Sequence, residues 1–194
     1  MHSPFPYNFV AMKFNLEAAL ESLMPSSKRS SEWEKSDDPV CMVMLLRESR
    51  VFGLDCLRIA GEIAFGVPFS NDKESKHFVI EGAPYTFMKV GRHTLGFLHY
   101  RKPYLGEQSQ EFGASMPKAS RRKAREQHAA WTAIDYVKCS VDLDLECAVL
   151  AKLCLHLIDG NCTGVLLPRE HILMPNDGSL VPYLQHVSSC YRPR

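Results

Sequence analysis

The sequence predicts an α+β sandwich in which helices pack mainly on one face of a mixed or antiparallel sheet. Two observations predict this class. Apolar runs of strand length alternate with segments of helical periodicity, in the order β-α-β-β-β-α-β-α-β-α. The 194 residues are 45% hydrophobic and 23% charged, which is an ordinary composition for a globular protein. We therefore expect one domain over residues 39–194, preceded by an extension.

The extension is expected to cover residues 1–38. Residues 25–38 hold five serines, seven charged residues and one aromatic residue. Such a segment buries too little apolar surface to offset the entropy of ordering, so we expect a linker. Residues 13–24 carry apolar side chains at roughly helical spacing, with Asn15 as a candidate N-cap. This pattern is typical of a short docking helix.

The domain is expected to begin with a strand and a helix. Residues 40–46 form a continuous apolar run, which predicts a central strand covered on both faces. The apolar residues between Gly53 and Gly66 share one helical face, and the second glycine ends that helix. The strands of an antiparallel meander follow, separated by turn residues, at residues 77–80, 85–90 and 94–100.

The second half of the domain begins with a loop. Residues 101–116 show no period, and a loop of this length is either functional or partly mobile. Residues 118–130 then favour a polar helix, and residues 131–141 favour a strand because they are rich in β-branched and aromatic side chains.

The last elements complete a sandwich of ferredoxin-like character. A helix over residues 145–158 is apolar around most of its circumference, so we expect it to be extensively buried, with Asp142 or Asp144 as its N-cap. A strand over residues 162–167 and a final helix over residues 179–187 follow.

Charge and segment lengths disfavour several classes of protein. The 23 basic residues are balanced by 22 acidic ones, which removes the whole-chain argument for a nucleic-acid or acidic-lipid binder. The first 25 residues do not resemble a secretory signal. The longest apolar-rich segment, residues 143–158, is shorter than the roughly 20 residues of a membrane span. We expect a cytoplasmic protein with no membrane segment.

The seven cysteines do not indicate a disulfide framework or a metal site. Their number is odd, and they fall mostly in apolar runs. No two of them have the spacing of about two to four residues that structural zinc sites use. The chain also lacks a phosphate loop, a dinucleotide fingerprint and the Gly-x-Ser-x-Gly turn of serine hydrolases. We expect no metal and no cofactor.

Four segments carry a resemblance to a known family. They are CMVMLLRES in the first strand, HTLGFLHYRKPYLGE with its proline at Pro103, HAAW beginning at His128, and AVLAKLCLHLIDGNCTGVLLPREHILMPND. Over about residues 40–187 the chain resembles an uncharacterised bacterial domain-of-unknown-function family, which implies an α+β fold without an assigned activity. Some members of that family look like immunity proteins or other partner-binding proteins. The resemblance therefore implies an interaction role.

A run of basic residues marks the predicted helix at residues 118–130. Residues 117–127 carry a net charge of +4, and the spacing of the cations places most of them on one helical face. A solvated face is the ordinary explanation, with an acidic protein partner as the sharper one. Nucleic acid is less favoured, because no aromatic residue interrupts the run to stack on bases. The candidate binding residues are Lys118, Arg121, Arg122 and Arg125, together with Tyr104 in the preceding loop.

His99, His128 and Asp135 form the one combination that suggests acid–base chemistry. If neighbouring strands bring a histidine and the aspartate together, the pair would act as a base tuned near neutral pH. His93 lies roughly 20 Å along the strand from His99, at about 3.3 Å per residue, so those two cannot share a metal. The simpler explanation is that all of these side chains are bonded within the fold.

These observations predict a non-catalytic binding or regulatory module, of immunity-like or adaptor type, that contacts a protein partner or a second copy of itself. One alternative is an enzyme that acts on a small polar substrate through the His99, His128 and Asp135 side chains. A second alternative is nonspecific nucleic-acid binding through residues 118–125.

Overall fold

A seven-stranded antiparallel sheet organises the fold in the computed structural model, which describes residues 40–104, 118–137, 142–170 and 172–191. The strands are β1 (Cys41–Leu46), β2 (His77–Gly82), β3 (Tyr85–Val90), β4 (His93–Tyr100), β5 (Ala130–Tyr136), β6 (Cys162–Leu167) and β7 (Ile172–Pro175). The helices are α1 (Leu54–Phe65), α2 (Lys118–Gln127), α3 (Leu143–Leu157) and α4 (Leu180–Ser188). The predicted α+β class is confirmed, and of the two expected sheet types, mixed or antiparallel, the sheet is antiparallel.

The strands lie in the order β2-β3-β4-β5-β1-β6-β7, so β1 is a central strand. All six residues of β1 are buried. Met44, for example, is opposite Thr132 of β5 and Val165 of β6. Because both faces of the sheet are covered at β1, its apolar run has no alternation, as the sequence predicts.

Three helices cover one face of the sheet, which we call the helix face. The even-numbered residues of β1 share a core cluster with buried residues of α1, α3 and α4. Representative members of that cluster are Met44, Leu57, Leu150 and Leu184. The side chain of Asp142 caps α3 by accepting a hydrogen bond from the Leu145 N–H at 3.0 Å, in agreement with one of the two expected caps.

The opposite face carries Cys41, Val43 and Leu45 of β1, and we call it the α2 face because α2 packs there against β6 and β7. Gly164 of β6 allows this packing. A Cβ atom at this glycine would lie 2.7 Å from the Met174 backbone oxygen and 3.5 Å from the Ala124 Cβ. A larger residue at position 164 would therefore push α2 or β7 away from β6.

One strand of the sheet was not predicted from the sequence. β7 is four residues long, ends at Pro175 and pairs with β6 alone, so it is an edge strand. Proline cannot donate a ladder hydrogen bond and is tolerated at such an edge. The short length and the proline explain why the segment has the pattern of a turn.

Most predicted boundaries move by one or two residues, and two of them move further. α2 ends at Gln127 rather than residue 130, because Ala130 already pairs with Leu46 of β1. β5 ends at Tyr136, whereas the predicted strand runs to residue 141. The predicted helix at 13–24, the linker at 25–38 and most of the loop at 101–116 lie outside the described residues. Within the described ranges, no helix is both long and apolar enough to cross a bilayer.

Candidate functional site

Helix α2 presents its basic residues outside the core. Arg122 and Lys123 are exposed, and Arg121 and Arg125 are half-buried. Lys118 is the first residue of the helix, and its side chain is outside the described part of the structure. The predicted basic helix is therefore present, and the four cations whose side chains are described lie at or near the surface.

The ion pair within α2 contributes little to holding the helix in place. Arg122 pairs with Glu126 one turn later, with Nε and Oε1 3.6 Å apart, but both side chains are mostly exposed. Such a surface pair stabilises a fold by well under about 1 kcal/mol. The helix is held instead through its backbone, since the Thr163 hydroxyl donates to the Ala124 carbonyl oxygen at 3.0 Å.

His128 connects the end of α2 to the segment that follows β4. Its Nε2 accepts a hydrogen bond from the Tyr104 N–H at 3.1 Å, and its Nδ1 bonds to the Arg125 carbonyl oxygen. Because Nε2 is an acceptor, the ring is neutral with its proton on Nδ1. Burial lowers the pKa of His128 below its usual value of 6.5, which keeps this form at neutral pH.

This connection brings two basic segments together. Arg101 and Lys102 are exposed and are separated by Pro103 from Tyr104, whose backbone His128 binds. Arg125 supplies the carbonyl group at the other side of the same histidine. We call the joined cations of these two segments the basic surface; it consists of Arg101, Lys102, Arg121, Arg122, Lys123 and Arg125.

Aromatic rings lie beside the basic surface. The Tyr104 ring packs edge-on against Trp131, with centroids 5.0 Å apart. On the same residue, the Tyr100 ring is stacked at 5.4 Å and an interplanar angle of 22°. Tyr100 is 38% exposed, so an aromatic surface adjoins Arg101.

The sheet separates two of the three residues expected to perform acid–base chemistry. His99 is opposite Thr132 and points to the helix face, where its Nδ1 bonds to the Thr132 hydroxyl at 2.8 Å. Asp135 is opposite Cys41 and points to the α2 face. His128 lies at the end of α2 with both ring nitrogens bonded. The three side chains therefore do not converge on one reacting atom.

His99 is also unsuited to work as a base near neutral pH. Burial lowers its pKa to about 4, and its ring packs 5.7 Å from that of Phe52. Its Nε2 is buried without a hydrogen-bond partner. A neutral imidazole in this position has the character of a core residue.

The structure adds a polar pair that the sequence analysis missed. Cys41 is the cross-strand neighbour of Asp135, and burial raises the pKa of this carboxyl group to about 6. Burial also raises the pKa of Cys41 well above its usual value, so the sulfur is a thiol rather than a thiolate. In the sequence, the signal of this pair is an aspartate inside a strand of apolar and aromatic residues. Its neighbour Cys41 could not be predicted, because it is set by the pairing of β1 with β5.

Among the other described thiols, Cys190 is exposed and the rest are at least partly buried. Cys154 and Cys162 are buried, and Cys56 and Cys147 are partly buried. Burial raises the pKa of Cys147 to about 11 and that of Cys162 to about 12. In the ranges that the structure covers, no three histidine, cysteine, aspartate or glutamate side chains are placed to hold a metal ion.

No family model, no curated protein and no solved structure matches this chain. The resemblance to a bacterial family of unknown function stays a prediction. The geometry of the basic surface and of the α2 face therefore provides the grounds for a functional assignment.

Proposed function

We propose that this protein is a non-catalytic binding module that contacts an acidic protein partner through the basic surface. The observation that carries the proposal is the His128 link. One buried histidine holds the Tyr104 backbone and the last turn of α2 together, and exposed cations lie on both segments. A prearranged group of like charges repels itself, so its assembly favours a role in attracting an opposite charge.

The packing of α2 supports this proposal. The helix is attached by the buried Ala124 and by the Thr163 hydrogen bond to its backbone. Lys123 is exposed and lies outside the ion pairs of the described residues. Since Lys123 is not needed to attach the helix, its charge is available to a partner. An immunity-like or adaptor role, as the family resemblance implies, requires such a surface.

Nucleic acid is the second candidate, and one observation favours it. Tyr100 is exposed beside Arg101 and stacks on Trp131, and aromatic rings next to cations are used to stack the bases of single strands. The basic residues of α2 are not interrupted by an aromatic residue. The structure thus places an aromatic residue at the basic surface that the sequence pattern did not indicate.

The test compares two charge-reversal variants of the full chain. In the first, Arg101→Glu, Lys102→Glu and Lys123→Glu reverse three exposed residues of the basic surface. The control carries Lys73→Glu and Lys76→Glu, two exposed lysines on the turn before β2. Fluorescence anisotropy measures binding of a labelled glutamate-rich peptide and of a labelled single-stranded oligonucleotide, at about 0.1 M salt.

We expect the wild-type protein and the control to bind the peptide equally, and the triple variant to bind it at least about tenfold more weakly. Thermal unfolding should show that all three proteins are folded. Absence of saturable peptide binding by the wild-type protein would contradict the proposal. Clear preference for the oligonucleotide, lost on Tyr100→Ala, would replace the protein partner with nucleic acid.

A further inference from the structure

The α2 face carries a carboxylate among small residues near the middle of the sheet. By strand register, Asp135 of β5 has Cys41 of β1 on one side and Gly96 of β4 on the other. Ala133 comes two residues earlier on the same face of β5. Because these neighbours are small, no bulky side chain of the adjacent strands lies directly beside the carboxylate.

Aromatic rings stand around this carboxylate. Phe87 lies one strand beyond β4 in the same register, and Tyr85 packs on it with ring centroids 5.9 Å apart. On the other side, Tyr104 packs against Trp131. Burial raises the pKa of Tyr85 and Tyr104, and the charge of Asp135 adds to both shifts. Both hydroxyl groups are therefore within electrostatic range of the carboxylate.

Two polar atoms on this face lack a partner. Asp135 is 4% exposed, and its Oδ1 accepts no hydrogen bond. Trp131 is 2% exposed, and its Nε1–H donates none. Native folds rarely leave a buried carboxylate oxygen and a buried indole N–H unpaired on one face. A molecule bound on this face would supply what each atom lacks, a donor for the carboxylate oxygen and an acceptor for the indole N–H.

We propose that the α2 face holds a binding site for a small organic ammonium ion, anchored by Asp135 and walled by the aromatic rings of Tyr85, Phe87, Trp131 and Tyr104. The ammonium N–H donates to the Asp135 Oδ1. The ring faces add cation–π attraction, which strengthens when the cation is desolvated. A hydroxyl or carbonyl oxygen on the same molecule accepts from the Trp131 Nε1.

Other ligand classes fit this site less well. An anion would meet the Asp135 carboxylate, and an apolar molecule would leave both polar atoms unpaired. A metal ion would find one carboxylate beside a thiol, and the described residues hold no larger ligand set. Nucleophilic chemistry is disfavoured because the Cys41 sulfur is protonated. The site differs from the basic surface in the sign of its charge, so the two can be tested separately.

The experiment follows the indole N–H resonance of Trp131 in the full-length protein by ¹H–¹⁵N correlation NMR. Trp33→Phe removes the resonance of the one other tryptophan and identifies that of Trp131. The probe is ethanolamine, which has an ammonium group and a hydroxyl oxygen. The matched control is ethylene glycol, which replaces the ammonium group with a second hydroxyl group.

We expect ethanolamine to shift the Trp131 resonance saturably near pH 7.5, and ethylene glycol to leave it unchanged. In Asp135→Asn the shift with ethanolamine should disappear, since the anionic anchor is gone. Because that variant changes a buried residue, the melting temperature of the wild-type protein provides a second measurement. Ethanolamine should raise it, and ethylene glycol should not. Equal responses to both compounds, or an unchanged shift in a folded Asp135→Asn variant, would overturn the proposal.

Discussion

The two faces of the sheet differ in the hydrogen bonding and the charge of their buried polar side chains. On the helix face, His93 hydrogen-bonds to the Tyr136 hydroxyl, and His99 bonds to Thr132 through one ring nitrogen. Its other nitrogen is unpaired but belongs to a neutral ring. On the α2 face, the unpaired atoms belong to Asp135, whose pKa is about 6, and to Trp131. An ionised group costs far more to bury unpaired than a neutral one.

Both faces bury apolar clusters, and α3 also buries the carboxyl group of Glu146, but on the α2 face the buried carboxyl group belongs to the sheet itself, at Asp135. Apolar residues of three helices fill the helix face. The α2 face combines one basic helix with a buried carboxylate. Local violations of the packing rules are expected at functional sites, since a fold optimised for stability alone would remove them.

The largest expected effect is loss of stability from a cavity on the helix face. Leu150 of α3 is fully buried, so Leu150→Ala should lower the free energy of unfolding by about 3 to 4 kcal/mol. Ile63→Ala on α1 is the matched control, because Ile63 is 62% exposed and should lose less than about 0.5 kcal/mol. Urea unfolding measures both. Similar losses at the two positions would contradict the assignment of the core to this face.

The second effect is the dependence of stability on pH at Asp135. Burial raises its pKa from 3.8 to about 6 in the folded protein. Folding therefore disfavours ionisation, so stability that is full below pH 3.8 is lost as the pH rises through 6. By this linkage the loss is up to about 3 kcal/mol. Asp135→Asn has no such titration.

Unfolding of both proteins at a series of pH values tests this effect. The stability of Asp135→Asn relative to the wild type should increase between pH 4 and pH 7 and then level off. Comparing the two proteins cancels the titration of all other groups. A difference that does not change with pH would mean that the carboxyl group has the same pKa in the folded and unfolded chains. That result would contradict the electrostatic difference between the two faces.

The smallest of the three effects concerns His128. Its replacement by alanine leaves the Tyr104 N–H and the Arg125 carbonyl without their partner, which should cost about 2 kcal/mol. Affinity for the glutamate-rich peptide should fall about threefold, because the two basic segments are no longer held together. Exposed His156 on α3 supplies the control variant His156→Ala, which should change neither quantity.

Acid should have the same effect as this substitution. A protonated His128 has an N–H on both nitrogens and cannot accept from Tyr104. The pKa of His128 in the folded protein is below 6.5, so its hydrogen bond from the Tyr104 N–H persists at neutral pH. This hydrogen bond is lost as the pH falls through the lowered pKa of the histidine. If His128→Ala lost stability but retained full affinity, the histidine would serve the fold alone.

The fold was predictable where turn residues flank an element on both sides. β3 and β6 begin and end at the residues expected from the sequence, because glycine and proline turns bound them. β7 was not predictable by this rule, since Pro175 ends a strand that only its edge position tolerates. Local pattern thus fixes elements with turn residues at both ends and fails for a short edge strand.

The candidate site was less predictable, because it depends on pairing between distant segments. The alternation along β4 places His93 and His99 on one side, as expected. Whether Asp135 shares that side depends on the register between β4 and β5, and a shift of one residue would reverse the answer. The contact of Tyr104 with His128 likewise joins residues on either side of a long segment.

The position of β1 has a consequence for synthesis of the chain. This apolar strand leaves the ribosome before the other strands, yet its two neighbours, β5 and β6, begin only at residues 130 and 162. The β2-β3-β4 meander can pair while β1 still has both edges unpaired. A nascent chain that stops before β6 would therefore expose an unpaired hydrophobic strand edge, which is the segment most prone to join another chain.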